Sequence, residues 1–228
     1  MKYKDEYPYD GLVWEVPMSQ DLGFAYVQTI DPRPVGTGFP SFLMKILNVR
    51  REEPTKQFDA DYWQTRDMLT SHILFMGKPP QRTGDCRWKP LGYLPITPFD
   101  RQIPESKLLA SYDGPFSWYD MPQNSKWSVY FEGSLGDYYV EETVFDQVKH
   151  LGHLTHYNVA YIHHRITMEW MRKEGLNYLQ YNIKLPDREF IDKQKYQIIT
   201  TVLFSEVDPS VRGKAIGNFT RVHPFLAN

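Results

Sequence analysis

The sequence predicts an α+β protein: a strongly bent, mostly antiparallel β-region, followed by a hairpin, one long helix and terminal strands. Three observations predict it. Short strand-like runs alternate with Pro and Gly over the first 110 residues. A helical pattern of apolar residues covers about 143–174. Aromatic residues make up 15% of the chain, and both strand-rich folds and binding faces use aromatics in this way.

The β-region begins with a predicted hairpin. The runs 12–18 and 22–30 are joined by the polar "SQD", and 41–49 is apolar on both parities, as a central buried strand would be. A short helix is predicted over 59–69, with Asp59 or Asp61 as its N-cap.

Two further strands complete this region. One covers 71–77, and the other, 86–96, is predicted to be an edge strand because Pro90 and Pro95 remove two ladder donors. A loop at 110–125 then divides the chain into a β-rich region, 1–110, and an α+β region, 111–228, which we expect to pack on the first.

The second region is predicted to contain a hairpin, a helix and two strands. The hairpin, 126–142, turns at Gly133 to Gly136. Thr143 and Asp146 resemble a capping box that starts the long helix, and Gly175 stops it. The terminal strands are predicted at 176–185 and 196–207.

Composition narrows the classes of function. The single cysteine, Cys86, cannot form an internal disulfide, and beside Arg87 and Trp88 it reads as a packed residue rather than a nucleophile. The chain opens without a leader and has no apolar run of about 18 to 20 residues, so we expect a cytoplasmic protein with no membrane contact. With 26 basic and 28 acidic residues, the net charge of −2 does not favour nucleic acid.

Five of the seven histidines lie in the stretch 150–164. On a helix they would occupy one flank, beside a buried stripe, although Gly152 could break that helix. The five are His150, His153, His156, His163 and His164, and the stripe is Val144, Val148, Leu151, Val159, Ile162 and Ile166. His153 and His156, at i and i+3, form the best candidate metal pair, but a metal wants three or four converging ligands. We therefore expect no metal and no cofactor, and no catalytic residue stands out.

An acidic and aromatic segment is the candidate partner surface. From Trp127 to Val148 there is no lysine or arginine, and carboxylates alternate with aromatic side chains. Such a mixture can supply both affinity and electrostatic steering toward a basic partner. The candidate partner-binding residues are Glu132, Asp137, Tyr138, Tyr139, Glu141 and Glu142. The alternative interpretation is a solvated acidic hairpin leading into a helix whose N-terminus favours acids.

Several short motifs in the first half resemble a known family. A strand with Val16 and Pro17 leads into one with Gly23 and Tyr26, and a later segment contains Trp88, Gly92 and Pro95. Over residues 11–105 this pattern resembles the immunity protein 26 family of bacterial polymorphic-toxin systems. The resemblance implies a protein that binds and blocks a cognate protein toxin inside the producing cell, with no catalytic residues to carry over.

The sequence therefore predicts a non-enzymatic immunity protein that neutralises a toxin by stoichiometric binding. Two alternatives stay open: a small metal-dependent hydrolase built on the histidine helix, and a generic protein-interaction module. Independently of function, alternation along the edge strand indicates that Trp88 is a buried anchor rather than an exposed contact.

Overall fold

The computed structural model describes residues 9–31, 41–76, 87–101, 104–112, 125–130, 140–153, 156–158, 162–181 and 188–219. These residues form an α+β arrangement with two sheets, which confirms the predicted fold class. The strands are β1 (Leu12–Pro17), β2 (Phe24–Ile30), β3 (Ser41–Arg51), β4 (Ile73–Met76), β5 (Lys89–Tyr93), β6 (Ser106–Tyr112), β7 (Ser125–Tyr130), β8 (Val140–Thr143), β9 (Gly152–His153) and β10 (His156–Asn158). The helices are α1 (Ala60–Gln64), α2 (Pro98–Arg101), α3 (Phe145–Val148), α4 (Ile162–Lys173) and α5 (Arg188–Ile199). Cys86 and the predicted turn at Gly133 to Gly136 lie outside the described residues.

The large sheet has the strand order β10-β4-β3-β2-β1-β5 and is antiparallel except where β10 joins β4. Its first two strands form the predicted hairpin, and β3 lies between β2 and β4 as the predicted central strand. The predicted edge strand is also confirmed, because β5 lies at the end of the sheet and pairs with β1. The pairings of β1 with β5 and of β2 with β3 each contain a register shift.

The small sheet has the order β8-β7-β6-β9. β7 pairs antiparallel with β8, as the predicted hairpin requires, and β9 adds to β6 in parallel. The predicted boundary at residue 110 lies inside β6, and β10 joins the large sheet from the second half of the chain. The main apolar cluster likewise combines side chains from both halves.

Both faces of the large sheet are covered. Alternate residues of β1 illustrate this, because Trp14 packs in the main cluster with α4 and α5, whereas Val13 packs in a second cluster with Trp63 of α1. Trp88 is fully buried, as predicted, and its ring lies 6.4 Å from that of Trp14 and 5.9 Å from that of Phe75.

The prediction of one long helix over 143–174 is wrong, because α3 and α4 are separate helices and β9 and β10 lie between them. Helix propensity is a weak preference, and Gly152 lowers it further, so pairing along β6 and β4 prevails in this stretch. The predicted capping box is wrong too: Thr143 ends β8, and Val144 occupies the N-cap of α3 with no side-chain bond. Val144 is 61% exposed, whereas the described remainder of the predicted stripe is buried.

The prediction of two terminal strands is also wrong within the described residues. Tyr178–Gln180 form a 3₁₀ turn, and α5 covers the start of the predicted strand 196–207. The run of β-branched residues from Ile198 favours a strand, but Ile191 and Ile198 recur at helical spacing and both pack in the main cluster. Burial of that face therefore decides the conformation.

Candidate functional site

The five clustered histidines lie in a turn, two strands and a helix rather than on one helix flank. His150 follows α3, His153 is in β9, His156 is in β10, and His163 and His164 are in α4. The Nε2 atom of His150 lies 2.6 Å from the carbonyl oxygen of Lys214. The histidines therefore lie in different environments, and the prediction that they share one flank of a helix is wrong.

One of those surroundings is a buried polar cluster at the C-terminal end of α5. Lys107 from β6 donates from Nζ to the carbonyl oxygens of Lys149, at 2.8 Å, and Thr200. Arg172 from α4 donates from Nη1 to the carbonyl oxygens of Ile198, at 3.1 Å, and Thr201. Two cationic side chains thus reach carbonyls that the end of a helix leaves without partners. We call this cluster, completed by His153, Arg165 and Glu169, the α5 junction.

Hydrogen bonding fixes the tautomer of His153 in the α5 junction. The hydroxyl of Thr200 donates its one hydrogen to the carbonyl oxygen of Tyr196 at 2.9 Å. The Nε2 atom of His153 lies 2.7 Å from the same hydroxyl oxygen, so Nε2 carries the hydrogen and donates it. Burial lowers the pKa of His153 well below its ordinary value, and the nearby charges of Lys107 and Arg165 lower it further.

One buried carboxylate faces both arginines of the junction. Glu169, fully buried, accepts from Arg165 at 2.5 Å and lies 2.7 Å from Nη2 of Arg172. Burial lowers the pKa of Lys107 well below its ordinary value, and the positive charges of the two arginines add to this. Because Lys107 is fully buried and its amine donates to two carbonyl oxygens, this arrangement fastens α5 to the small sheet rather than presenting a reactive amine.

The two histidines of the candidate metal pair do not lie on one helix. His153 belongs to the small sheet and His156 to the large sheet, so the i, i+3 argument is wrong for them. Within the described ranges, no three histidine, cysteine, aspartate or glutamate side chains are grouped so that they could hold a metal ion.

Most of the predicted partner surface lies outside the described residues, namely Glu132, Asp137, Tyr138 and Tyr139. Glu141 and Glu142 lie in β8, the outer strand of the small sheet. The Glu142 carboxylate is exposed and lies 3.7 Å from Nζ of Lys126. Trp127, which the sequence offers as an aromatic anchor of this surface, is instead fully buried in the core of the small sheet.

The lysines that flank this acidic segment fold back onto it. Lys126 meets Glu142, and Lys149 meets Asp146 at 3.0 Å, although neither lysine falls inside the cation-free stretch. Exposed pairs of this kind contribute about 0 to 1 kcal/mol and leave the carboxylates free to exchange partners. The local charge of the described part of the segment is therefore less negative than the sequence indicates.

Sequence reasoning missed a second buried polar cluster, at α2. Thr97 and Asp100 form a reciprocal capping box: the Asp100 N–H donates to the Thr97 hydroxyl at 3.1 Å, and the Thr97 N–H donates to the Asp100 carboxylate at 3.0 Å. Lys45 Nζ lies 2.9 Å from the same carboxylate, and His72 Nε2 lies 3.8 Å from it. Burial alone would raise the pKa of Asp100, but hydrogen bonds from His72, Lys45 and Thr97 hold it well below its ordinary value. The Thr-x-x-Asp spacing was the available signal.

Comparisons with family models, with curated proteins and with solved structures found no match to this chain. None of the helices in the described part of the chain has the length and apolar character needed to cross a membrane.

Proposed function

We propose that this chain is an immunity protein that neutralises a cognate bacterial toxin in the cytoplasm by stoichiometric binding. The observation that carries the proposal is the placement of the residues behind the family resemblance. Val16 and Pro17 lie in β1, Gly23 and Tyr26 lie at or in β2, and the segment with Trp88 and Gly92 leads into β5. Residues from three separate stretches of sequence thus fall on three adjacent strands, β2-β1-β5.

The glycines of the pattern have backbone roles in this unit. Gly23 has φ +73°, and a Cβ there would lie 2.2 Å from the carbonyl oxygen of Arg51. A Cβ on Gly92 would lie 2.4 Å from the ring of Phe58. Close approach of β3 and of a covering aromatic ring explains both glycines. The pattern therefore describes a specific packed unit, which supports its use as a mark of the family.

Tyr26 has a connecting role in the same unit. Its hydroxyl donates to the buried Glu15 carboxylate at 3.2 Å, and Thr55 donates its backbone N–H to that carboxylate at 2.5 Å. Burial is the main cause that raises the pKa of Tyr26 to about 12, so the hydroxyl keeps its proton. These bonds hold the connection after β3 against the sheet, which suits a rigid scaffold for binding.

The first experiment tests stoichiometric inhibition. The toxin whose gene adjoins the gene of this chain is purified, and its activity is titrated with this protein. We expect inhibition to be complete at one equivalent and unchanged after treatment with a chelator. Turnover of the toxin by a substoichiometric amount, with about one zinc per chain, would instead favour the metal-dependent hydrolase.

The second experiment tests the acidic segment as the contact surface. If Glu132 and Asp137 steer a basic toxin, the association rate should fall steeply with salt, and Glu132→Lys with Asp137→Lys should flatten that dependence. A matched control, Glu174→Lys with Asp192→Lys, reverses two solvent-facing carboxylates elsewhere. Equal effects of the two double variants would mean that net charge, rather than a specific surface, sets the association rate. An unchanged rate for Glu132→Lys with Asp137→Lys would mean that the toxin binds at another surface.

A further inference from the structure

Two arginines and a tyrosine form an exposed cluster beside α1. The guanidinium carbon of Arg66 lies 4.1 Å from the ring centroid of Tyr62, and that of Arg51 lies 5.6 Å from the same centroid. Tyr62 is 36% exposed, and both arginines are exposed as well. Within the described residues, neither guanidinium has a carboxylate within ion-pair distance. We call these three residues the Arg-Tyr-Arg cluster.

The cluster is held in place from below. Trp63 is buried, meets the edge of the Tyr62 ring at 5.4 Å, and lies 5.5 Å from the Arg51 guanidinium. Asp59 caps α1 by accepting from the backbone N–H groups of Asp61 and Tyr62 at 3.1 and 3.2 Å. The Arg66 backbone N–H donates to the carbonyl oxygen of Trp63 at 3.1 Å. A ring and two guanidinium groups that already contact one another lose less conformational freedom when a partner binds than separate side chains would.

The two guanidinium groups, which have no ion-pair partner in the described ranges, define the chemistry of the ligand. A guanidinium stacked on a ring keeps its N–H edge available, and that edge matches a carboxylate or phosphate with two parallel hydrogen bonds. Arginine and tyrosine are also two of the residue types that most often dominate the energetics of protein interfaces. The cluster therefore fits an anionic group carried by a partner.

The surrounding charge distinguishes a carboxylate from a polyanion. Residues 51–67 contain five acidic residues against three basic ones, so the stretch carries a net charge of −2. An extended phosphate backbone would bring several charges into this negative surrounding. A single Asp or Glu side chain of a protein places one charge directly against the arginines and little beyond them.

We propose that the Arg-Tyr-Arg cluster of Arg51, Tyr62 and Arg66 is a docking point for a carboxylate side chain on the protein partner. The assignment rests on the proposed function, because the partner it would dock is the toxin. It goes beyond the acidic segment by adding a contact of opposite charge, built from a different part of the chain.

The test measures the dissociation constant of the toxin complex for matched variants. Arg51→Ala and Arg66→Ala are each expected to weaken binding about 30-fold, as hot-spot residues do. Tyr62→Ala should weaken binding as well, whereas Tyr62→Phe keeps the ring and should stay within about 2-fold of the wild type. The control is Arg87→Ala, which removes an exposed cation outside the cluster and should leave affinity unchanged. Thermal unfolding of each variant confirms that the fold is intact.

The alternative ligand is tested in parallel. A labelled 12-nucleotide single-stranded DNA is titrated with the wild type and with Arg51→Ala plus Arg66→Ala, and we expect no binding that depends on the arginines. Arginine-dependent DNA binding would overturn the carboxylate assignment, as would a toxin affinity that none of the cluster variants changes. If the wild type forms no complex with the toxin at all, the proposed function itself fails and this assignment fails with it.

Discussion

Acidification should destabilise this protein through His163 and His164 of α4. Both side chains are buried, and their ring centroids lie 3.7 Å apart. Burial lowers the pKa of each to about 4, and for His164 a charge on His163 lowers it further. The folded state therefore favours neutral imidazoles, whereas the unfolded chain takes up protons near the ordinary pKa of about 6.5.

The sign and the size of the effect follow from this difference. A histidine with a lowered folded pKa contributes stability that is fully present above about pH 6.5 and is lost as the pH falls toward 4. Each imidazole should remove on the order of 3 kcal/mol over that range, at roughly 1.4 kcal/mol for each pH unit. Since a domain is stabilised by about 5 to 15 kcal/mol in total, the pair alone removes much of its stability. Asp100 acts in the same direction only at lower pH, because its carboxyl stays ionised until well below the ordinary value.

The assay is urea unfolding at pH values from 7.5 to about 4.5, with the free energy of unfolding taken from linear extrapolation. His164 bonds through Nδ1 to the Tyr181 hydroxyl at 2.6 Å, so His164→Asn can retain that bond without titrating. We expect His163→Asn with His164→Asn to be less stable at pH 7.5 but clearly flatter below pH 6.5. His223→Asn, outside the described residues, serves as a control for a single histidine change. A free energy of unfolding that is constant from pH 7 to pH 4.5 would refute the reasoning, and so would an undiminished slope in the double variant.

Three further predictions concern the core. Trp88→Ala should lower the free energy of unfolding by about 3 to 5 kcal/mol. Trp88→Phe should lower it much less, since the indole N–H has no hydrogen-bond partner among the described residues. Equal unfolding midpoints in urea for wild type and Trp88→Ala would contradict this. Glu169→Gln should lower the free energy of unfolding by about 3 to 5 kcal/mol, because two arginines lose their buried counter-charge. An unchanged melting temperature would contradict this and show that the arginines do not need that carboxylate. Gly23→Ala should destabilise the protein more than Gly175→Ala does. Both glycines have positive φ, but only at Gly23 would an added Cβ meet backbone atoms. Equal losses of stability in the two variants would mean that positive φ alone causes the loss.

Local sequence patterns were sufficient for the elements whose neighbours along the chain are also their neighbours in space. The β1-β2 hairpin, the central strand β3, the edge strand β5 and the Asp59 cap of α1 follow from alternation, proline placement and capping chemistry. Burial of Trp88 followed from the same alternation. The resemblance over 11–105 likewise depends on residues within this part of the chain.

The sequence by itself determined the α+β class and the β-region, because hydrophobic period and turn residues act over a few positions. Only the tertiary structure decided the stretch from 143 to 174, where edge pairing with β4 and β6 displaced a helix that its apolar spacing permits. The same holds for the α5 junction and the Arg-Tyr-Arg cluster. Lys107 meets Thr200 and Arg51 meets Tyr62 through contacts between separate elements, and no local pattern encodes where one element will lie against another.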